Sequence, residues 1–183
     1  KSIITIQNSY FCDLLTGMNH TIIEENGFKY VEVGEGEVLM LLHGLFGALS
    51  NFYDIIEGFK KTHKVVIPIL PLYDLPIEET TVGGYVNYVE RFVAYKGYQK
   101  VIVLGNSLGG HIALIYALAN PDKIKGVVLT GSSGLFESAM GDSYPRRGDY
   151  EYIQKKAEAV FYDPKIATKE MVDEVYSMAN DRI

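Results

Sequence analysis

Val101-Ile102-Val103-Leu104-Gly105-Asn106-Ser107-Leu108-Gly109-Gly110-His111-Ile112-Ala113-Leu114 is the stretch on which the fold turns. Residues 100 to 104 form an apolar run of the kind found in strands buried on both faces. From Leu108 to Ala119 the chain is a strongly apolar helix, ended before Pro121. Between them stands Gly105-Asn106-Ser107-Leu108-Gly109, a Gly-x-Ser-x-Gly elbow. The turn is so tight that side chains at the glycine positions would clash, and it pushes the serine out above the carboxyl end of a sheet. A helix that begins at the serine aims its N-terminal dipole at negative charge developing there. Five residues alone match by chance. The strand–turn–helix setting makes Ser107 a candidate nucleophile and not a bystander in a plain glycine-flanked turn.

Upstream, Val38 to Leu42 is another continuous apolar run, and Lys64 to Leu70 a further one. Between them Asn51 can cap a helix whose inward face is Phe52, Ile55, Ile56 and Phe59. Thr80 or Thr81 can cap the next helix, with Tyr85, Val86, Val89, Phe92 and Val93 inward and Gly97 at its C-terminal stop. Downstream, Ile124 to Thr130 reads as a fourth buried strand. Strands alternating with helices imply right-handed crossovers and a parallel sheet. At the start, Thr21 to Glu25 and Phe28 to Val33 flank Asn26-Gly27, a type I′ hairpin signal that adds antiparallel strands at one edge. Residues 3 to 15 suggest a short helix.

After Gly131 the strand pattern stops, and a helical-looking stretch runs from about Asp149 to Asp181, with Ala157, Val160 and Phe161 apolar. The expected organisation is a core over residues 1 to 133 and a partial helical cap over 134 to 183, with helices on both faces of the sheet.

Composition excludes several classes. The 183 residues, 48% of them hydrophobic, suit one globular domain. Seventeen basic against 23 acidic residues give a net charge of -6, and Arg146-Arg147 is no patch, which argues against nucleic-acid binding. The single cysteine, Cys12, has no partner for a disulfide and reads as a buried thiol among Tyr10, Phe11, Leu14 and Leu15. No Cys/His spacing suggests a metal site, and no cofactor is called for. No apolar run reaches the ~20 residues of a membrane span. The first residues resemble a signal peptide only briefly, since Gln7 and Asn8 end the apolar run. A cytoplasmic location is expected.

The second chemical signal is His43-Gly44-Leu45-Phe46-Gly47, directly after a buried strand. Such a loop completes an oxyanion hole through its backbone. The expected donors are the N–H groups of Leu45 and Leu108, which would hydrogen-bond the oxyanion of a tetrahedral intermediate. His43 itself is expected to act neither as ligand nor as base. Phe46 and Asn106, with Tyr144 or Tyr150 of the cap, are candidate pocket walls; the alternative for each is plain packing.

These features together resemble the α/β-hydrolase superfamily, most closely its esterase and carbon–carbon-bond hydrolase branches. The likeness rests on His43-Gly44-x-x-Gly47, the helix from Asn51, the strand to Pro71, and Gly105-Asn106-Ser107-Leu108-Gly109-Gly110, and covers about residues 20 to 135. Dehalogenases and epoxide hydrolases of the superfamily carry aspartate at the elbow, so serine there implies acyl transfer through an acyl-enzyme. Many relatives have a glycine-rich turn where this chain has Leu70-Pro71-Leu72-Tyr73-Asp74.

In this superfamily the acid and then the histidine follow the serine. The chain has four histidines, His20, His43, His63 and His111. Three precede Ser107, and His111 lies on the helix behind it. Asp142 and Asp149 fall in the expected cap. The last strands, with the acid and base, are therefore expected beyond Ile183, and either that segment or another chain should cover the open sheet edge.

Three functions fit. The first is hydrolysis of a carboxylic ester or similar small acyl substrate. The second is carbon–carbon cleavage of a β-diketone type substrate. The third, of a different class, is a non-catalytic ligand receptor that keeps the serine and has lost the triad.

Overall fold

The computed structural model describes residues 20–45, 49–135, 146–159 and 161–180. The chain divides into two units, Lys1–Glu137 and Ser138–Ile183. The first is built on six strands: β1 (Ile23–Glu25), β2 (Phe28–Val33), β3 (Glu37–Leu42), β4 (His63–Pro68), β5 (Val101–Asn106) and β6 (Ile124–Thr130). Their order across the sheet is β1-β2-β4-β3-β5-β6. Strands β4, β3, β5 and β6 are parallel neighbours, and β2 pairs antiparallel with both β1 and β4. The hairpin turns as its residues demand: Asn26 has φ 52° and Gly27 φ 77°, the two positive values of a type I′ turn.

Three α-helices accompany the sheet among the described residues of this unit: α1 (Tyr53–Phe59), α2 (Val82–Lys96) and α3 (Leu108–Ala119). The strands' period of two sorts their side chains onto two faces. Val38, Met40, Leu42, Val66, Val101 and Val103 pack with Val89 and Phe92 of α2 and Ile112 and Tyr116 of α3. Leu39, Leu41, Val65, Ile67 and Leu104 pack with Leu49, Phe52 and Ile56 on the opposite side. Helix α2 begins and ends as expected. The Thr81 hydroxyl accepts from the Gly84 N–H at 3.1 Å, and Gly97 sits at φ 67° with its N–H on the carbonyls of Val93 and Ala94. An ionic cluster fastens the end of α2 to β2. Lys96 lies 2.7 Å from Glu32, whose carboxylate also accepts from the Tyr98 hydroxyl at 2.8 Å.

Two expectations are corrected. Asn51 does not cap a helix: it lies inside a 3-10 turn, Leu49–Phe52, and α1 follows with Phe52 at its cap position and no side-chain cap bond. The tighter i→i+3 turn leads straight into α1 and leaves no capping role for Asn51. Strand β6 exists where expected but is not buried. Val127 and Val128 are 37% and 45% exposed, because among the described residues β6 lies at the edge of the sheet and pairs with β5 alone.

The second unit holds α4 (Tyr150–Glu158), a 3-10 turn at Pro164–Ile166, and α5 (Lys169–Asn180). Asp149 caps α4, accepting from the Tyr152 N–H at 3.0 Å. The Tyr150 hydroxyl donates to Asp173 at 2.5 Å, and its ring lies 5.3 Å from that of Tyr176. Tyr150 thus has packing partners within its own unit. No helix among the described residues is long and apolar enough to cross a membrane. The expected helix over residues 3 to 15, and Cys12, Phe46, Gly47, Asp142 and Tyr144, lie outside the described residues.

Candidate active site

The chain runs from β3 to β4 on one side, then crosses to β5 on the other, so β3 is the topological switch point where ligands of open α/β sheets bind. The carboxyl ends of β3 and β5 lie side by side, with Leu42 opposite Gly105 in the ladder. One emits His43-Gly44-Leu45 and the other Asn106-Ser107-Leu108.

Ser107 has φ 53° and ψ -119°, and Asn26 is the only other non-glycine at positive φ among the described residues. A backbone held there costs of the order of 1–3 kcal/mol and persists only where neighbours enforce it. The enforcement is close packing. A Cβ at Gly105 would lie 2.4 Å from the Gly109 carbonyl oxygen, and one at Gly109 would lie 2.0 Å from the Leu42 oxygen. A Cβ at Gly44 would stand 3.0 Å from that of Ser107, so the β3 loop lies directly against the elbow. The Ser107 side chain itself is exposed, as the elbow requires.

Leu108 is the first residue of α3, so its N–H precedes the helix's own hydrogen bonds. Among the described residues no turn or loop bond takes the N–H of Leu45 or Leu108.

His43 is buried, and its two nitrogens have partners that fix the tautomer. Nδ1–H donates to the Gly44 carbonyl at 2.9 Å, and Nε2 accepts from the Leu70 N–H at 3.0 Å. Burial pushes its pKa down, partly offset by the Gly44 bond. The ring braces the loop after β3 against Leu70. The other histidines have neighbours of their own. His20 is 3.8 Å from Glu57, His63 Nδ1 is 2.9 Å from the Thr62 hydroxyl, and the His111 ring lies against Gly134, where a Cβ would come within 2.4 Å of it. No cluster of three or more His, Cys, Asp or Glu side chains among the described residues could hold a metal ion.

Sequence reasoning named Asn106 as a pocket wall and missed its partner Thr130, together with Ser133. The Asn106 amide donates to both the carbonyl and the hydroxyl of Thr130, each at 3.1 Å. The Ser107 N–H donates to the same carbonyl at 3.1 Å, and the Ser133 N–H to the Ser107 carbonyl at 3.2 Å. The sequence marks Thr130 only as the end of a strand; its place beside the elbow follows from the pairing of β6 with β5.

Comparison with known proteins agrees with this geometry. Among solved structures, an alpha/beta hydrolase enzyme from the metagenome of sediments of the Mar Chica lagoon in Morocco superposes with a TM-score of 0.66 at 41% identity, covering 88% of this chain and 59% of that one. A soluble epoxide hydrolase of Corynebacterium sp. (strain C12) is 30% identical over 138 residues, 71% of this chain and 47% of the relative. The 2-hydroxy-6-oxo-6-phenylhexa-2,4-dienoate hydrolase of Comamonas testosteroni is 28% identical over 163 residues, 78% of this chain and 56% of the relative. The chain thus spans about half the length of these curated relatives. A family model described as the alpha/beta hydrolase fold matches residues 37–159. That match takes in more than half of the sequence, with both the β3 loop and the serine elbow inside it, and the chain belongs to the alpha/beta hydrolase fold family.

Proposed function

We propose that these residues are the nucleophile-bearing part of a serine hydrolase acting on a carboxylic ester or similar small acyl compound. The observation that carries this is Ser107, exposed at positive φ between β5 and α3 and pressed against Gly44. Its Oγ attacks the substrate carbonyl carbon, giving up its proton to a base. The oxyanion is held by the N–H groups of Leu45 and Leu108. The intermediate collapses with loss of the alcohol, which takes the proton, and water then hydrolyses the acyl-enzyme. Serine at the elbow, where epoxide-opening members carry aspartate, favours acyl transfer.

The acid and base come from residues beyond these 183, which fits the partner assignments of all four histidines and the half-length match to relatives. The same added segment, or another chain, covers the outer edge of β6. Residues 134–183 serve as a helical cap, and Phe46 lines the pocket. The lone cysteine and the small-molecule chemistry fit a cytoplasmic enzyme.

A second reading is cleavage of a carbon–carbon bond in a β-diketone type substrate, favoured by the likeness to the dienoate hydrolase. A fluorophosphonate probe on the full natural chain tests the proposal, with hydrolysis of a short activated ester assayed beside that of a β-diketone. The expected result is labelling and ester turnover that vanish in Ser107→Ala. Labelling unchanged by that substitution would overturn the serine mechanism. A fully folded protein that neither labels nor turns over either substrate would favour the ligand-receptor alternative.

A further inference from the structure

We infer that Asn106 and Thr130 form a clasp that positions the nucleophile, with Thr130 a positioning residue that acts through the elbow and does not touch substrate. This rests on the reading of Ser107 as the nucleophile. The packed glycines let the backbone adopt φ 53° at Ser107, but packing alone leaves the turn's tilt relative to the sheet unset. Hydrogen bonds to one neighbouring strand end set it. The Thr130 carbonyl accepts from the Ser107 N–H and from the Asn106 amide, and the Thr130 hydroxyl accepts from that same amide at 3.1 Å. Just beyond, the Ser133 N–H reaches the Ser107 carbonyl, which also receives the N–H groups of Gly110 and His111. Both polar groups of the Ser107 backbone are therefore tied to the end of β6, and the Asn106 side chain closes the ring.

This gives the residue after the elbow's glycine a task that does not require it to meet the substrate. It also gives β6, an exposed edge strand, a direct hold on the reacting serine. Each is a bond between neutral groups and is worth a modest factor, about three- to tenfold in rate.

The test uses the full natural chain and four variants: Thr130→Val, Thr130→Ser, Asn106→Ala and the Asn106→Ala/Thr130→Val double. The readouts are the second-order rate of Ser107 labelling by a fluorophosphonate, kcat and KM for an activated ester, and thermal unfolding. Valine keeps the shape of threonine and suits a strand, and thermal unfolding checks that Thr130→Val leaves the fold intact. Expected are labelling and kcat lowered about threefold in Thr130→Val and about tenfold in Asn106→Ala, with KM within about twofold of wild type. Thr130→Ser restores the rate, and the double variant is slower than Asn106→Ala by much less than the Thr130→Val factor, since the hydroxyl then keeps only its 3.5 Å bond to the Gly105 carbonyl. The clasp is overturned if Thr130→Val labels at the wild-type rate, if serine gives no rescue, if the loss falls on KM, or if the two losses multiply. Wild-type protein that is not labelled at Ser107 would instead bring down the serine-hydrolase reading, and the clasp with it.

Discussion

Leu42 and Gly105 stand opposite one another in the parallel ladder between β3 and β5. Strands in register leave a sheet at the same height, so the next residues of each meet above its edge. That is why Gly44 comes against Ser107 although the two are 63 positions apart in the sequence. It is also why a brace is needed behind the β3 loop, a role filled by His43 between Gly44 and Leu70.

Gly109 should tolerate no side chain. A Cβ there would sit 2.0 Å from the Leu42 oxygen and 2.7 Å from the His43 oxygen, both backbone atoms that cannot swing aside. Gly109→Ala is expected to lower stability by at least about 1–3 kcal/mol and to abolish probe labelling, because the loop must lift off the elbow. Gly83→Ala is the control. Only the Thr81 hydroxyl lies near, at 3.8 Å, so alanine should stabilise α2 by about 0.5–1 kcal/mol. Urea unfolding of the two variants should move in opposite directions.

His43 should make stability fall as the solution is acidified. Its folded pKa is below its ordinary 6.5, so the neutral form is the one the fold holds. Above pH 6.5 neither state binds the proton. Below it the unfolded chain binds one and the folded chain does not, so stability drops until the pH passes the folded pKa. His43→Leu leaves the Gly44 carbonyl and the Leu70 N–H without this partner and should cost about 1–3 kcal/mol at neutral pH. That gap should narrow between about pH 7.5 and about pH 5.5. A gap that stays constant in urea titrations would mean that His43 carries its proton in the folded state.

The backbone at Ser107 should be more comfortable for glycine than for alanine. Strain of about 1–3 kcal/mol is relieved by a residue without a Cβ, less about 0.5–1 kcal/mol for glycine's larger entropy loss. Ser107→Gly is therefore expected to be more stable than Ser107→Ala by about 0.5–2 kcal/mol, with both unlabelled by the probe. Equal stabilities would mean that the turn relaxes when the hydroxyl is removed.

Local chemistry wrote most of this fold plainly. The Asn26-Gly27 turn, the Thr81 cap, the Gly97 stop and the Gly105–Gly109 elbow each depend on conformations or bonds that few residues supply, and all can be read from neighbours in the chain. Non-local facts were illegible. Nothing in Ile124 to Thr130 says whether another strand lies beyond it, and the same apolar run serves a buried strand or an exposed edge. Asn51 has the chemistry of a cap, yet a 3-10 turn overrides it. The Asn106–Thr130 contact joins residues 24 apart across two strands, which periodicity does not encode.

The 183 residues, assayed alone, should be close to inactive as an esterase. A serine hydroxyl is a weak nucleophile until a base takes its proton. His43 is neutral and uses both ring nitrogens in bracing, while His20 and His63 lie beside Glu57 and Thr62. His111 begins one helical turn past the serine, with its ring against Gly134, and Asp149 spends a carboxylate oxygen on capping α4. In serine proteases, loss of the histidine alone costs about 10⁶ in kcat, while the oxyanion hole and binding keep about 10³–10⁴ over water. A residual rate of that kind, left essentially unchanged by Ser107→Ala because the serine does little without its base, is the expected outcome beside a fully active natural chain. The exposed β6 edge, with Val127 and Val128 on it, should also make the 183 residues self-associate at high concentration, and Val128→Lys should reduce this. Full Ser107-dependent turnover by the 183 residues would show that a base and its acid lie within them, and His111 would be the first histidine to replace.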